Sequence, residues 1–478
     1  MVTVVAQFIS IGVQFISTII LARMLSPNEY GIIGMVAVMI SFAGLFKDLG
    51  LSAASIQKGK LTHEQMSNLF WVNISVGALL SIIVACSAPF VAAFYGRPEL
   101  VPLTWLLSVN FFLSSLGTQH GALMQRELEF EKKAYASISS SIVTLVVSIV
   151  LAMKGFSYWS LAWGTIAGAV SSSFLLFCFS SFRPSRWSGF KSIKSLLKFG
   201  ANVTAFDFLN YFHRNTDTIL IGKFWGAEVL GLYSRAYQLL MFPIVRLRAP
   251  IASVAFPVLS RLQDEPEAYR RYFRRIIYLL AVSSMPLMAF LFVVSEDFIR
   301  VAFGDEWMEA APIFSILAVT AFIQPVSSIR GMILLTVGES KRYLHWGVIN
   351  AIFVTIGFSI GVMWGAIGVA VAYAVVYYTL LYPSLVYIFG KTPLKIADFF
   401  SPVSMPSLFS VLAAIVCFLL SSVSEVFDGF DSWVRLIILA LVFAILYLLP
   451  MLLLPLSRKD LLQIPALFKS LRRSKVRS

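Results

Sequence analysis

The chain has 478 residues, of which 58% are hydrophobic and only 13% charged, and it carries a formal net charge of +14. Soluble globular proteins hold about 25% charged residues. Apolar runs of roughly 20 residues, the length a ~30 Å hydrocarbon core requires, recur along the whole chain, which excludes a soluble protein and predicts an all-α polytopic membrane protein.

Fourteen transmembrane helices are expected, each placed to within a few residues. They run over 2–22, 31–57, 66–94, 100–124, 134–153, 157–181, 198–222, 229–258, 274–297, 309–333, 343–362, 366–389, 402–421 and 434–456. Met1 leads into the first run without a basic segment or a small-residue cleavage site, so 2–22 reads as a retained span and not a signal peptide. The stretch LARMLSPNEYGIIG (Leu21–Gly34) joins the first two runs, and Pro27 and Gly31 suit a tight turn with a fresh helix start. It returns 200 residues later as LIGKFWGAEVLGLY (Leu220–Tyr233), where Thr18 matches Thr218, Ile19 matches Ile219, Arg23 matches Lys223 and Gly31 matches Gly231.

Six spans separate the copies, so both halves enter the membrane in the same direction. That predicts a parallel repeat about an axis along the membrane normal. The expected organisation is an N-lobe of spans one to six (1–181), a basic amphipathic linker on the inner surface (182–197), and a C-lobe of spans seven to twelve (198–390). Spans thirteen and fourteen (391–456) and a basic tail (457–478) follow. The loops 58–65, 125–134, 182–199, 259–277, 338–346 and 390–398, together with the tail, hold 26 of the 38 Lys and Arg, against six on the opposite side. The positive-inside rule therefore places both termini in the cytoplasm. Attraction to anionic lipids accounts for the net charge without a nucleic-acid partner.

Polar residues inside spans point to the working surface. Span seven carries Asp207, Asn210, Arg214 and Asp217 at spacings of 3, 4 and 3, one helix face. Subtracting 200 gives Gln7, Ser10, Gln14 and Ser17 on span one, a neutral stripe in the same register. An Arg or Asp facing lipid costs roughly 2.5–3.5 kcal/mol even on the lenient insertion scale. Either an interhelical polar network or a water-filled cavity would hold these stripes, and their matched register favours the cavity. Span eight adds Arg235, Arg246 and Arg248 among Pro243, Pro250 and Pro257, whose freed carbonyls need partners. Arg246 and Arg248 lie about 200° apart on a helix, so they cannot share one cavity. Lys47 and Asp48 sit in span two, and Arg330 follows Gln324 and Pro325 in span ten.

Guanidinium groups bind phosphate oxygens bidentately. The expected cavity is net positive and takes an anionic head group; its candidate lining is Gln7, Ser10, Gln14, Asp207, Asn210, Arg214, Asp217, Arg330 and one or other of Arg246 and Arg248, the remaining arginine pairing with another helix. Cys86, Cys178 and Cys417 lie far apart in apolar runs, and the four histidines form no ligand pair, so neither a metal nor a cofactor is expected. Every outward loop is short, and SSVSEVFDGFDSW (421–433) has acids without a base or metal cluster, which argues against a membrane enzyme.

The motifs LARMLSPNEYGIIG, FKDLGLSAASIQ, ALMQRELEFEK, DTILIGKFWGAEVLGLYSRAYQL, FPVLSRLQDE, AFGDEW and GAIGVAVAY run from about residue 18 to 375. In order and spacing this set resembles the Wzx-type flippases of the polysaccharide-export branch of the MOP superfamily. The resemblance implies a two-lobed, alternating-access transporter in the bacterial plasma membrane. It implies an undecaprenyl-diphosphate-linked oligosaccharide as substrate, and a place beside other membrane proteins of polysaccharide assembly. Coupling to H+ or Na+ would draw on Asp48, Asp207 and Asp217. The alternative from the same superfamily is a cation-coupled drug exporter, for which an acidic, aromatic-lined site is expected; the intramembrane excess here is basic. Members usually begin with a short basic segment before span one, whereas this chain starts at MVTVVAQFIS; a start assigned too late or a truncation would account for that.

Overall fold

The structure, a computed structural model, describes residues 2–57, 61–190, 193–422 and 429–454. Side chains at 2–11, 53–54, 57, 194–195, 197–214 and 246 are not among those described. Among the described residues every regular element is helical, and the chain divides into two compact units, Met1–Gly231 and Leu232–Ser478. Among those residues nine helices are long and apolar enough to cross a membrane, or up to ten if one bent pair is counted as a single span.

The first unit opens with α1 (Val2–Ala22), α2 (Pro27–Gly44) and α3 (Leu51–Gln57). Between α1 and α2 the chain turns at a capping box. Ser26 Oγ accepts the Glu29 backbone N–H, and the Glu29 carboxylate accepts the Ser26 backbone N–H at 2.7 Å. Glu29 is thus spent on starting α2. The second expected span is not one helix. Leu49 (φ 45°) and Gly50 (φ 65°) adopt left-handed backbone, and both Asp48 oxygens accept the Ser52 N–H at 3.1 Å. A carboxylate that satisfies the orphan donors of a new helix start makes a break here cheaper than continuation.

The remaining helices of this unit are α4 (His63–Tyr95), α5 (Leu100–Arg126), α6 (Phe130–Met153) and α7 (Trp159–Phe179). Small residues set their spacing, because lipid supplies no hydrophobic drive between helices and close backbone approach must supply van der Waals contact instead. A Cβ on Gly164 would lie 1.9 Å from Ser148 Oγ, and one on Gly168 2.0 Å from Thr144 Oγ1, so α6 and α7 meet along a four-residue repeat of glycine against hydroxyl. After α7 the chain runs along the first turns of α4. Ser67 Oγ accepts the Ser185 N–H, Asn68 Oδ1 accepts the Ser188 N–H, and Trp71 Nε1 donates to the Ser185 carbonyl at 2.8 Å.

Helix α8 (Lys194–Arg261) begins in the first unit and is interrupted at Gly226 (φ 82°, ψ −174°), within the second of the repeated stretches. Within the first unit the two stretches meet. A Cβ on Gly31 would lie 1.6 Å from the Ala227 carbonyl oxygen, and one on Gly231 1.8 Å from that of Pro27. Each hairpin presents a glycine to the backbone of the other. Lys223 Nζ donates to the Phe94 carbonyl and lies 4.9 Å from the Phe94 ring centroid.

The second unit continues through α9 (Pro266–Val293), α10 (Ser295–Phe303), α11 (Ala310–Ser327) and α12 (Arg330–Thr336). It ends with α13 (Ser340–Gly361), α14 (Gly365–Phe389), α15 (Ile396–Ser422) and α16 (Ser432–Leu453). Its core gathers on α9, where Phe273, Ile277, Leu280 and Met285 pack with Val326, Leu385 and Phe399. A smaller cluster joins Phe409 and Cys417 of α15 to Phe443 and Tyr447 of α16. Helices α13 and α14 form one 50-residue apolar run, turned back at Gly365. At about 33 and 37 Å each is long enough to span by itself.

At the ends of α9 and α15, outside the expected spans 274–297 and 402–421, Arg270 Nε donates to Asp398 Oδ2 at 2.8 Å. Burial alone would raise the Asp398 pKa. Hydrogen bonds from Arg270 and from the Lys395 backbone, with the charges of Arg270 and Arg274, instead hold it below the ordinary carboxylate value. A depressed folded-state pKa stabilises the fold above the unfolded value of about 3.9 and is lost as pH falls through the lower folded value. The thermal midpoint in detergent should therefore fall more steeply below about pH 4 in the parent than in Asp398→Asn; parallel curves would contradict the pairing.

Candidate substrate cavity

The first unit forms an open cavity of about 500 Å³ between α5, α6, α7 and the break that follows α2. That volume lies within the ~300–1,000 Å³ of typical ligand sites. Helix periodicity builds it. Asn110, Ser114 and Thr118 stand four residues apart on α5, with Gly121, Ala122 and Gln125 continuing the stripe. Ser140 and Thr144 come from α6, and Thr165, Gly168, Ser172 and Ser173 from α7. Asn110 to Gln125 covers about 22 Å of helix rise, so the lining runs along most of α5.

Two lysines complete the lining, and no Asp or Glu among the described residues belongs to it. Lys133 Nζ donates to Gln125 Oε1 at 2.6 Å and has no ion pair among the described residues. Lys47 follows α2; its neighbour Asp48 gives its carboxylate oxygens to the Ser52 N–H and hydroxyl. Several wall hydroxyls donate to helix carbonyls, such as Ser140 to Gly168 at 2.8 Å and Thr118 to Ser114 at 3.0 Å. Each such oxygen keeps acceptor capacity toward the cavity.

The residues expected from sequence to line a cavity separate. Gln7, Ser10, Asp207, Asn210, Arg214 and Arg246 lie outside the described side chains. Gln14 is exposed, and its carbonyl accepts the Thr18 hydroxyl at 2.9 Å. Asp217 is 6% exposed, and its Oδ1 accepts the Thr218 N–H at 2.8 Å. Arg248 is exposed and close enough to Tyr377 to act on it electrostatically. Arg330 is buried, 9% exposed. It donates to Ser384 Oγ, and its guanidinium carbon lies 5.5 Å from the Tyr377 ring centroid. Gln324 donates to the Tyr373 hydroxyl at 3.0 Å in the same cluster. Of the lining expected from sequence, then, the described part brings Arg248 and Arg330 to one place, around Tyr377.

The first unit holds a counterpart of that cluster. His120 on α5 lies 5.3 Å from Phe177 of α7, with Phe70 and Phe182 at 5.6 and 5.5 Å. In sequence, His120–Gly121 stands 210 residues before Arg330–Gly331, and Phe177 stands 200 before Tyr377. Each unit thus sets a nitrogen-bearing side chain against an aromatic ring of a later helix. Both His120 nitrogens are buried without a hydrogen-bond partner among the described residues.

Sequence reasoning missed the cavity because its polar groups are mostly Ser, Thr and Gly, which also serve helix packing. The available signal was the four-residue spacing of Asn110, Ser114 and Thr118. Among the described residues no three His, Cys, Asp or Glu side chains are grouped to hold a metal.

Comparison with solved structures identifies the fold. The inward closed conformation of the lipid II flippase MurJ matches with a TM-score of 0.76 at 15% identity, covering 94% of this chain and 97% of that one. An inward-facing multidrug-resistance MATE transporter of the MOP superfamily matches at 0.61 and 14% identity, covering 79% and 94%. The fold is therefore the one that these two solved structures share. The family described as polysaccharide biosynthesis protein matches residues 20–312, well over half of the chain, and the chain belongs to it. Relatives include the teichuronic acid biosynthesis protein TuaB of Bacillus subtilis (strain 168), 29% identical over 70% of this chain and 70% of that protein. The lipopolysaccharide biosynthesis protein WzxC of Escherichia coli (strain K12) is 28% identical over 77% and 76%.

Proposed function

We propose that this chain is a transporter, not an enzyme, that flips lipid-linked (undecaprenyl-diphosphate) oligosaccharide repeat units across the bacterial plasma membrane, for exopolysaccharide, O-antigen or capsule synthesis. The observation that carries the reading is the cavity. A hydroxyl- and amide-lined space with two lysines and no acid among its described lining, inside helices whose outer faces are apolar, suits a polar, anionic cargo that must cross lipid. Membership of the polysaccharide biosynthesis family and the name of the MurJ neighbour support the same cargo class. A cationic-drug exporter would need an acid where this lining has none.

In this reading the chain has fourteen spans, both termini in the cytoplasm, and two lobes related by the parallel repeat, exchanging access from one leaflet to the other. The matched pairs His120/Arg330 and Phe177/Tyr377 support the repeat. The repeated hairpins, locked glycine to backbone, form the closed outer joint. Asp207, Asn210, Arg214 and one of Arg246 and Arg248, with Gln7, Ser10 and Gln14, line the route of the head group; Arg330 supports it from behind Tyr377. Coupling to H+ or Na+ uses Asp48, Asp207 or Asp217.

The reading is tested by depleting the protein in its host and locating the lipid-linked unit with a membrane-impermeant glycan label on intact spheroplasts. Accumulation in the inner leaflet, relieved by re-expression, is expected. Unchanged outer-leaflet labelling would refute it.

A further inference from the structure

We propose that the cavity of the first unit is a binding site for a saccharide that carries an anionic group, with Lys47 and Lys133 holding the anion and the α5–α7 hydroxyls holding the ring. The inference rests on the flippase reading only in taking sugars as the cargo; the site itself is argued from its chemistry.

Three observations converge. First, the two ammonium groups line one cavity without a carboxylate in its described wall; Lys133 has no ion pair among the described residues, and the neighbour that acts on Lys47, Asp48, gives its oxygens to Ser52. Lys47 lies within the second expected span, where a retained charge is costly and marks a substrate path, and Lys133 stands where α6 begins. Second, the wall is unlike an apolar or aromatic drug pocket: hydroxyls and amides alternate with glycines along about 22 Å of helix. The Asn110 amide makes no hydrogen bond among the described residues, and the hydroxyls that donate to helix carbonyls still accept. Sugar hydroxyls, which both donate and accept, complement that wall. Third, Lys133 occupies one end. Lys133 is in the first turn of α6 and Gln125 in the last turn of α5, whereas Asn110 stands four helical turns away. An anion would seat toward Lys133, with neutral ring hydroxyls further along.

The anion could be a carboxylate on the glycan or a phosphate at its reducing end, and the test separates them. The full-length protein in lipid nanodiscs is titrated calorimetrically with tetragalacturonate, galactose 1-phosphate and the neutral maltotetraose. At least one anionic probe should bind tenfold or more tightly than maltotetraose, and the probe that does so names the anion. Its affinity should drop at least tenfold in Lys47→Gln/Lys133→Gln and weaken with salt. Equal binding of anionic and neutral probes, or full affinity in the double variant, would overturn the site. If the double variant does not fold, Ser172→Leu, which fills the wall without touching charge, should block the same probe; unaltered binding there also overturns it. Probe binding without translocation of a lipid-linked glycan would count against the flippase reading and leave the site standing. Translocation with no preference for anionic probes would remove the site alone.

Discussion

Gly31→Ala is expected to abolish transport, and the cause is steric. The new Cβ would lie 1.6 Å from the Ala227 carbonyl oxygen, where real Cβ atoms essentially never come within 3.0 Å. The obstructing atom is backbone, so no rotamer change relieves it; α2 and the second hairpin must separate by more than an ångström. Overpacking commonly costs about 1–3 kcal/mol and more where the backbone cannot yield. Gly231→Ala meets the Pro27 carbonyl in the same way at 1.8 Å and should reproduce the defect, whereas Gly347→Ala, with nothing within 4 Å, should be silent. Complementation of a depleted strain, read beside the thermal midpoint of the purified variants, checks this. Near-parental transport in Gly31→Ala would contradict the joint.

Arg330 gives the second large effect, of a different kind. Its guanidinium is buried against Ser384 and Tyr377, and no carboxylate pairs with it among the described residues. Replacing a buried charge by an apolar side chain of similar length often leaves stability unchanged or improves it. Arg330→Met should therefore fold with an equal or higher thermal midpoint yet lose transport at least tenfold, because Tyr377 loses the cation that lies against its ring. A lower midpoint with transport intact would mean that Arg330 only holds helices together.

How much of this could be read from residues alone depended on the size of each signal. Long apolar runs announce spans, so α4 to α7, α9, α15 and α16 fall where hydropathy places them. The hairpin was readable from Pro27, Gly31 and their echo, although that Gly31 and Gly231 lock the two copies together is a tertiary fact. The break after α2 was masked because Leu45, Phe46, Leu49 and Leu51 carry the apolar run past Lys47 and Asp48; Asp48 next to Leu49–Gly50 hinted that a carboxylate could start a new helix. Arg330 was found by its charge, but its burial behind Tyr377 depends on α14, more than forty residues away. The lining of the first-unit cavity was overlooked for the opposite reason. Ser114, Thr118, Ser140 and Ser172 are individually ordinary in membrane helices, and they become a surface only when four elements converge.

The flippase account stands or falls on one reconstitution. Full-length protein in liposomes holding a fluorescently labelled polyprenyl-diphosphate oligosaccharide should render the glycan accessible to an external, membrane-impermeant quencher many times faster than protein-free liposomes do, with Gly31→Ala close to the protein-free rate. Equal rates with and without the protein, for each glycan tried, would contradict the account.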